Sequence, residues 1–256
     1  MYKYADFFAD LKQTGLKSND TVMIHSAFSS IKNIDGGANT VLKALKAYFK
    51  DGLVLLPTHT WASMKEDGQI FYKEEANSCV GYLTNMAILD KDFYRSNHPT
   101  HSVVAYGKKA LEYIKGDDFS KTPADPDGSF GRLKNGGYIL FIGTPLSKNT
   151  FIHSIEEEMN VPLRFTEHIY TFYTKDKGRM IEYHMPRHYN KDCPHISDNY
   201  EKLLPIFIER GAAKEVKILD SKSYLLDATK VNTIVKNILK KDIHAFDDNR
   251  DVRRYI

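Results

Sequence analysis

Residues 21–57 read TVMIHSAFSSIKNIDGGANTVLKALKAYFKDGLVLLP, and this stretch decides the fold class. Its first part, Thr21 to His25, is β-branched and apolar and predicts a strand, which a small polar loop from Ser26 to Gly37 follows. Apolar residues then recur at helical spacing, at Val41, Leu42, Leu45 and Phe49. The closing run LVLLP is apolar on both faces, as in a strand covered by helices on both sides. The stretch therefore predicts a right-handed βαβ unit of an α/β protein.

The sequence on either side of this unit predicts more elements of the same kind. We expect strands at His101–Tyr106, Tyr138–Gly143 and Ala213–Leu219. We expect helices at Tyr2–Thr14, Val80–Leu89, Lys108–Lys115, Ser147–Met159, Tyr200–Arg210 and Ala228–Lys240, with Asn149 or Thr150 capping the fourth.

Three segments depart from this alternation. Ile169–Thr174 and Met180–Met185 flank a turn and predict a hairpin, so that roughly residues 165–200 form an antiparallel lobe within one domain of residues 1–256. The polar and aromatic stretch from Trp61 to Asn77 predicts a long functional loop or lid. The final residues, from His244 onward, predict a loosely held tail.

Composition excludes several classes of protein. The chain has 256 residues, 42% of them hydrophobic, which predicts one large domain or two closely packed lobes and excludes disorder. Its 36 basic and 33 acidic residues leave a charge of only +3, too small and too dispersed for nucleic-acid binding. Apolar runs are far below the roughly 20 residues that cross a bilayer. With two cysteines and no signal-peptide pattern, we expect a cytoplasmic protein without a membrane segment.

The loop from Ser26 to Gly37 has the position of an anion site. It carries three serines, Ser26, Ser29 and Ser30, and Gly36-Gly37 between a strand and a helix, where α/β proteins bind anionic ligands. It lacks the dinucleotide and Walker glycine patterns. The sequence is compatible both with a loop that contacts a phosphate and with a simple connecting turn. Thr58, His59 and Thr60 likewise end a buried strand and would face a ligand crevice.

Ten histidines raise the question of a metal site. His98 and His101 lie three residues apart, but Pro99 and the following strand give them neither helical nor even spacing. No carboxylate cluster or paired cysteine accompanies them, and we expect no metal. The alternative is a non-catalytic or metal-dependent protein that binds Zn²⁺ through His98, His101, His184 and His188.

His153 and Glu156 lie three residues apart at the start of a predicted helix and share one face. Glu156 could then orient the imidazole of His153, which could accept a proton near neutral pH. Alternatively, Glu156, Glu157 and Glu158 form a solvated turn favoured by the helix dipole. A serine hydrolase is disfavoured because no Gly-x-Ser-x-Gly motif is present.

Six segments in order resemble the aminoglycoside 3-N-acetyltransferase family, the acetyl-CoA-dependent antibiotic N-acetyltransferases. They are MIHSAFSSI with the later DGG, PTHTW, RSNHPTHSVVAYG, DGSFGRL, YILFIGT, and NTFIHSIEE followed by VPLRF. The closing part, from residue 200 to residue 228, is similar as well. This resemblance implies a three-layer αβα fold around a mixed central sheet with a smaller antiparallel lobe, distinct from the GCN5-type fold.

The same resemblance implies site residues and partners. His153 takes the position of the family's catalytic histidine and Glu156 that of its orienting carboxylate. Coenzyme A contacts are expected at Ser26, Ser29, Ser30, Thr58, Thr60, Arg95, Ser129 and Phe130. The expected partners are coenzyme A, with acetyl-CoA as co-substrate, and a small-molecule amine; a homodimer is compatible with the resemblance.

The implied reaction is direct acetyl transfer to a primary amine in a ternary complex. His153 would deprotonate the amine, and Cys79 and Cys193 lie in no matching segment, so no acetyl-enzyme is expected. Family members that act on aminoglycosides, and so confer antibiotic resistance, generally place an aspartate just before the Asn-Thr of the histidine loop. This chain has GTPLSK there, with Lys148. Another amino sugar, or a metabolite or polysaccharide-precursor amine or hydroxyl, is an alternative acceptor.

Overall fold

Ten strands and seven α-helices make up the computed structural model, which describes all residues from 1 to 256. The strands are β1 Thr21–Ser26, β2 Leu53–Pro57, β3 Ile70–Tyr72, β4 Tyr94–Arg95, β5 Val103–Gly107, β6 Tyr138–Ile142, β7 Ile169–Asp176, β8 Arg179–Pro186, β9 Ala213–Ile218 and β10 Ser221–Asp227. The helices are α1 Tyr4–Gln13, α2 Gly37–Tyr48, α3 Tyr82–Leu89, α4 Ala110–Ile114, α5 Thr150–Glu158, α6 Leu204–Glu209 and α7 Ala228–Lys241.

The central sheet has seven strands in the order β4-β5-β2-β1-β6-β10-β9. β1 pairs in parallel with β2 and with β6, whereas β5 is antiparallel to β2 and β10 is antiparallel to β6. The βαβ unit predicted for residues 21–57 is confirmed, with Thr21 opposite Leu53. Because β1, β2 and β6 run in the same direction, their carboxyl ends lie at one edge of the sheet.

Apolar residues cover both faces of this sheet. Successive residues of β1 alternate between two cores: Met23 packs on the side of α4 to α7, and Val22 and Ile24 pack on the side of α1 to α3. Since strand side chains alternate between faces, this pattern buries the four central residues of β1. The three-layer αβα architecture around a mixed sheet is thereby confirmed. No helix combines the length and apolar character needed to cross a membrane.

A second, three-stranded sheet has the order β3-β7-β8. The predicted hairpin is confirmed: β7 and β8 are antiparallel, and the two-residue turn uses Lys177 at φ 47° and Gly178 at φ 83°. The expectation of an irregular loop over residues 61–77 is corrected by β3, which pairs in parallel with β7. Three residues are too few for periodicity to show a strand, and the partner strand lies about 100 residues further along the chain.

The C-terminal part departs from the sequence-based expectation in three places. β10 was not predicted, because the turn before it has Leu219 rather than glycine at a positive φ of 52°. The helix predicted at 200–210 is a 3-10 segment, Ile196–Leu203, followed by α6. The tail is not loose: Ala245, Phe246 and Val252 are at most 1% exposed and pack in the larger core.

Candidate active site

A cleft of about 730 Å³ opens at the carboxyl ends of β1, β2 and β6. Its wall includes His25 and Ser26 from β1, Pro57 from β2, and His153 from α5. The connection after β8 closes another side with Arg187, His188 and Tyr189, among others. Strand ends that meet at one edge of an α/β sheet are the usual place for a ligand crevice. Six of the ten histidines line this one cleft: His25, His59, His101, His153, His188 and His195.

The entry into α5 brings buried polar groups to this edge. Asn149 is the N-cap residue, as predicted, but its side chain makes no capping hydrogen bond. Both polar atoms of that side chain are buried without a partner in the protein. Thr150 does not cap the helix through its side chain either, since its Oγ1 lies 3.2 Å from His59 Nε2.

His153 and Glu156 are in contact on α5, with 3.3 Å between His153 Nδ1 and Glu156 Oε2. The side chain of His153 is 15% exposed and lines the cleft, whereas that of Glu156 is fully buried. The alternative of a solvated first turn is wrong, because Glu156 and Glu157 are both buried and belong to the second half of the helix. Only Glu158 reaches solvent, where it pairs with Lys134 and Lys236.

Tyr200 joins this pair, although no spacing in the sequence predicted it. Its hydroxyl lies 2.5 Å from Glu156 Oε2 and 2.8 Å from His153 Nδ1. Burial, and then Glu156, raise the pKa of Tyr200 well above its ordinary value, so the phenol keeps its proton. Because the phenol has one proton, which it donates to Glu156, it accepts from His153 Nδ1–H. This arrangement leaves Nε2 as the basic nitrogen of His153.

Arg164 balances the charge of Glu156 from the other side. Its Nε donates to Glu156 Oε1 at 2.8 Å, and its terminal nitrogen donates to Asp247 Oδ1 at 2.9 Å. Burial opposes the charged guanidinium, but Glu156, Tyr200 and Asp247 outweigh it and raise the pKa of Arg164. The carboxylate that faces His153 is thus held in a buried ion pair.

His188 lies against His153, with 3.9 Å between the ring centroids. Burial, and then the neighbouring His153, lower the pKa of His188 well below its ordinary value, so this ring is neutral. Burial has the same effect on His59 and His101, and it lowers the pKa of His25 to about 3. Four of the six histidines that line the cleft are therefore uncharged at neutral pH.

The four histidines of the zinc alternative do not form one cluster, although the ring centroids of His98 and His101 lie 5.9 Å apart. His98 accepts hydrogen bonds from the backbone N–H of Thr100 and His101, while His184 is exposed and contacts Glu182. The cluster with ligand-like proximity is instead His153, Glu156 and His188, whose donor atoms lie within 4.8 Å of one another. In that cluster, both oxygens of Glu156 already accept hydrogen bonds from Tyr200 and Arg164.

Of the eight positions expected to contact coenzyme A, Ser26 is the one that lines the cleft. Ser29 is exposed and Ser30 donates to the Ala27 carbonyl, both in the short 3-10 turn after β1. Phe130 is buried and stacks on His59 with 5.4 Å between ring centroids.

The other four positions are buried and hydrogen-bonded within the protein. Thr58 pairs with Ser102 at 2.8 Å, and Thr60 donates to the Pro99 carbonyl. Ser129 donates to Asp117 at 2.9 Å. Arg95 donates to the carbonyls of Lys73, Ala76 and Thr58. These side chains fix the loops behind the cleft, and their role toward coenzyme A stays a prediction.

Comparison with known proteins identifies related sequences and folds. The family model for aminoglycoside 3-N-acetyltransferases matches residues 23–240. The chain is 28% identical over 172 residues to aminoglycoside N(3)-acetyltransferase VII of Streptomyces paromomycinus, a match that spans 60% of this chain and 59% of that protein. It is 24% identical over 265 residues to aminoglycoside N(3)-acetyltransferase III of a Salmonella species, over 90% of this chain and 89% of that protein. The solved structure of AAC-IIIb in its binary complex with CoASH shares the fold, with a TM-score of 0.80, 21% identity, and coverage of 93% of this chain and 96% of that one.

Proposed function

Because the chain belongs to the aminoglycoside 3-N-acetyltransferase family of acyltransferases, we propose that it transfers the acetyl group of acetyl-CoA to a primary amine of a small molecule such as an amino sugar. The observation that carries this proposal is the chain of contacts from His153 through Tyr200 to Glu156, placed at the wall of the cleft at the strand ends. A relative that binds CoASH shares the fold, which supports acetyl-CoA as the co-substrate.

His153 is the general base in this mechanism. An alkylammonium must lose a proton before its nitrogen can attack a thioester. His153 lines the cleft, and because its Nδ1 is hydrogen-bonded to Tyr200, its Nε2 is the nitrogen that can take this proton. When Nε2 takes the proton, the charge of the imidazolium is stabilised by Tyr200 and Glu156 on the Nδ1 side. General-base catalysis of this kind contributes about 10² to 10⁴ in rate.

Transfer is direct, in a ternary complex of enzyme, acetyl-CoA and amine. The amine nitrogen forms a bond to the acetyl carbon, the carbon–sulfur bond breaks, and the proton held by His153 passes to the leaving thiolate. Cys79 was expected to be uninvolved, yet it lines the cleft. Burial raises the pKa of its thiol, which disfavours the thiolate needed for an acetyl-cysteine intermediate. Turnover should therefore survive in Cys79→Ala.

The test is release of free thiol from acetyl-CoA by the purified protein in the presence of a panel of amines. Product mass and stability to mild base then distinguish an amide from an ester. His153→Ala should abolish turnover and leave stabilisation by coenzyme A intact. His184→Ala, an exposed histidine outside the cleft, is the matched control and should behave like the wild type.

Two results contradict the proposal. If no amine releases thiol and coenzyme A does not stabilise the protein against heat, the chain is not an acetyltransferase of this type. If His153→Ala turns over at the wild-type rate, His153 is not the base.

A further inference from the structure

The charge of the cleft wall is one-sided. Among the 26 residues that line it there is no aspartate and no glutamate, while Lys148 and Arg187 contribute two cations. Since burial keeps His25, His59, His101 and His188 neutral, these two side chains are the fixed charges of the wall. A polycation entering this cleft would meet positive charge without compensation.

Both cations are adjacent in the sequence to residues that contact or position the proposed base, and both line the same cleft. Arg187 directly precedes His188, whose ring lies 3.9 Å from that of His153. Lys148 directly precedes Asn149, the N-cap residue of the helix that carries His153. Neither side chain forms an ion pair; Arg187 packs over the Tyr170 ring at 5.8 Å, and Lys148 is exposed. Their hydrogen-bond donors are therefore free to bind a ligand.

Three acidic residues near the base, Glu156, Glu157 and Glu201, do not line the cleft. Glu156 is paired with Arg164 behind the cleft wall. Burial raises the pKa of Glu157 to about 8, so its carboxyl is largely protonated at neutral pH. Glu201 accepts a hydrogen bond from the Ser147 backbone at 2.8 Å and is not part of the wall.

Building on the proposed function, we infer that the acceptor is a monoamine that also carries an anionic group, a phosphate or a carboxylate, held by Lys148 and Arg187 while its amine faces His153. An arginine fork and a lysine ammonium both form charge-assisted hydrogen bonds with such groups. A polycationic aminoglycoside is the acceptor class that this wall disfavours. The acetyl transfer itself is unchanged, since the anionic group takes no part in the bonds that form and break.

The experiment measures amine binding to the full chain saturated with coenzyme A, so that any cation used by the cofactor phosphates is already occupied. Four probes are titrated by calorimetry: D-glucosamine, D-glucosamine 6-phosphate, muramic acid and kanamycin. The phosphorylated or the carboxylated sugar should bind at least about tenfold more tightly than glucosamine, and kanamycin should bind most weakly. Which of the two anionic sugars binds more tightly distinguishes phosphate from carboxylate. Kanamycin binding as tightly as either anionic sugar overturns the inference.

Variants identify the side chains responsible. Lys148→Met and Arg187→Gln should each reduce the preference for the anionic sugar by about tenfold and leave the affinity for coenzyme A unchanged. Lys217→Met removes an exposed lysine on β9, outside the cleft, and should have no effect on either. If the two cleft variants instead weaken coenzyme A alone, these cations bind the cofactor phosphates and the inference is wrong.

Failure of this inference is distinguishable from failure of the proposed function. Thiol release with kanamycin as the preferred acceptor would retain the acetyltransferase and refute the anionic acceptor. Absence of coenzyme A binding would refute the acetyltransferase. The four probes would then be titrated against the free protein, and kanamycin binding as tightly as either anionic sugar would again overturn the inference.

Discussion

Tyr200→Phe is the sharpest test of the proposed proton-transfer geometry. The substitution removes one oxygen, which lies 2.8 Å from His153 Nδ1 and 2.5 Å from Glu156 Oε2. The ring of Tyr200 is fully buried among apolar residues, so phenylalanine keeps the packing. Glu156 keeps its ion pair with Arg164, and no buried charge is left unpaired. The variant therefore perturbs the orientation of the base more than it perturbs the fold.

The magnitude follows from the hydrogen bonds that are lost. A hydrogen bond to a charged group contributes about 1.5–3 kcal/mol, and each 1.4 kcal/mol of barrier is about tenfold in rate. His153 retains its contact of 3.3 Å with Glu156, so only part of the stabilisation of the imidazolium is lost. We expect kcat to fall about 10- to 100-fold, KM for acetyl-CoA to stay constant, and stability to fall by about 1–2 kcal/mol.

The assay combines turnover with a direct view of the imidazole. Initial rates of thiol release at saturating acetyl-CoA give kcat for any amine that is accepted. Nitrogen-15 NMR of labelled histidine reports the tautomer of His153, which should carry its proton on Nδ1 in the wild type and lose that strict preference in Tyr200→Phe. A wild-type kcat in the variant, or an Nε2–H tautomer in the wild type, would refute the reasoning.

Three further predictions concern stability, measured by chemical denaturation. Glu157 accepts hydrogen bonds from the Ala124 backbone, and burial raises its pKa in the folded protein to about 8, above the ordinary 4.5. Between these two pH values the unfolded chain has released this proton and the folded chain has not, so the free energy of unfolding falls as the pH rises. Glu157→Gln should remove this loss, which amounts to at most about 3–4 kcal/mol between pH 5 and pH 8; an equal pH dependence in both proteins would contradict it. Burial lowers the pKa of His25 in the folded protein to about 3, below the ordinary 6.5. The unfolded chain therefore binds a proton first, and the free energy of unfolding falls as the pH falls below 6.5. His25→Phe should remove this loss and unfold at lower pH than the wild type. Gly143 has φ 60°, and a Cβ there would lie 2.2 Å from Ser30 Oγ. Gly143→Ala should therefore lower the free energy of unfolding by about 1–3 kcal/mol. An unchanged denaturation midpoint would mean that the loop adjusts freely.

The sequence predicted the elements whose signal is local. The βαβ unit at residues 21–57 was predictable because buried strands and an amphipathic helix have distinct periods, and the β7–β8 turn because Lys177-Gly178 suits positive φ. β10 was not predictable from the sequence, because the turn before it depends on Leu219, whose N–H donates to Asp10 of the first helix. Such a contact, between residues about 200 positions apart, leaves no pattern in a local window.

The candidate site likewise has one part that the sequence predicts and another that only the structure shows. The contact between His153 and Glu156 follows from helical spacing alone. Tyr200 reaches Glu156 from 44 residues away and Asp247 reaches Arg164 from 83, so the surroundings of the pair could not be derived from spacing. The cofactor positions came from family resemblance, and among them only Ser26 lines the cleft. The positive charge of the cleft wall could be recognised only from the structure, because Lys148 and Arg187 are 39 positions apart in the sequence.

The packing of the tail has a consequence for how the protein is made. Asp247 supports Arg164, which holds Glu156, and Phe246 is buried beside Tyr200 with 6.1 Å between the ring centroids. A nascent chain on the ribosome therefore cannot assemble the His153 site until residue 247 has left the exit tunnel. Until residue 227 has emerged, β6 also lacks its neighbour β10 and presents an open hydrogen-bonding edge to other chains. A chain that ends before β10 would therefore be inactive and prone to aggregate, whereas one that ends between β10 and Asp247 would pair this edge but lack the support of the His153 site.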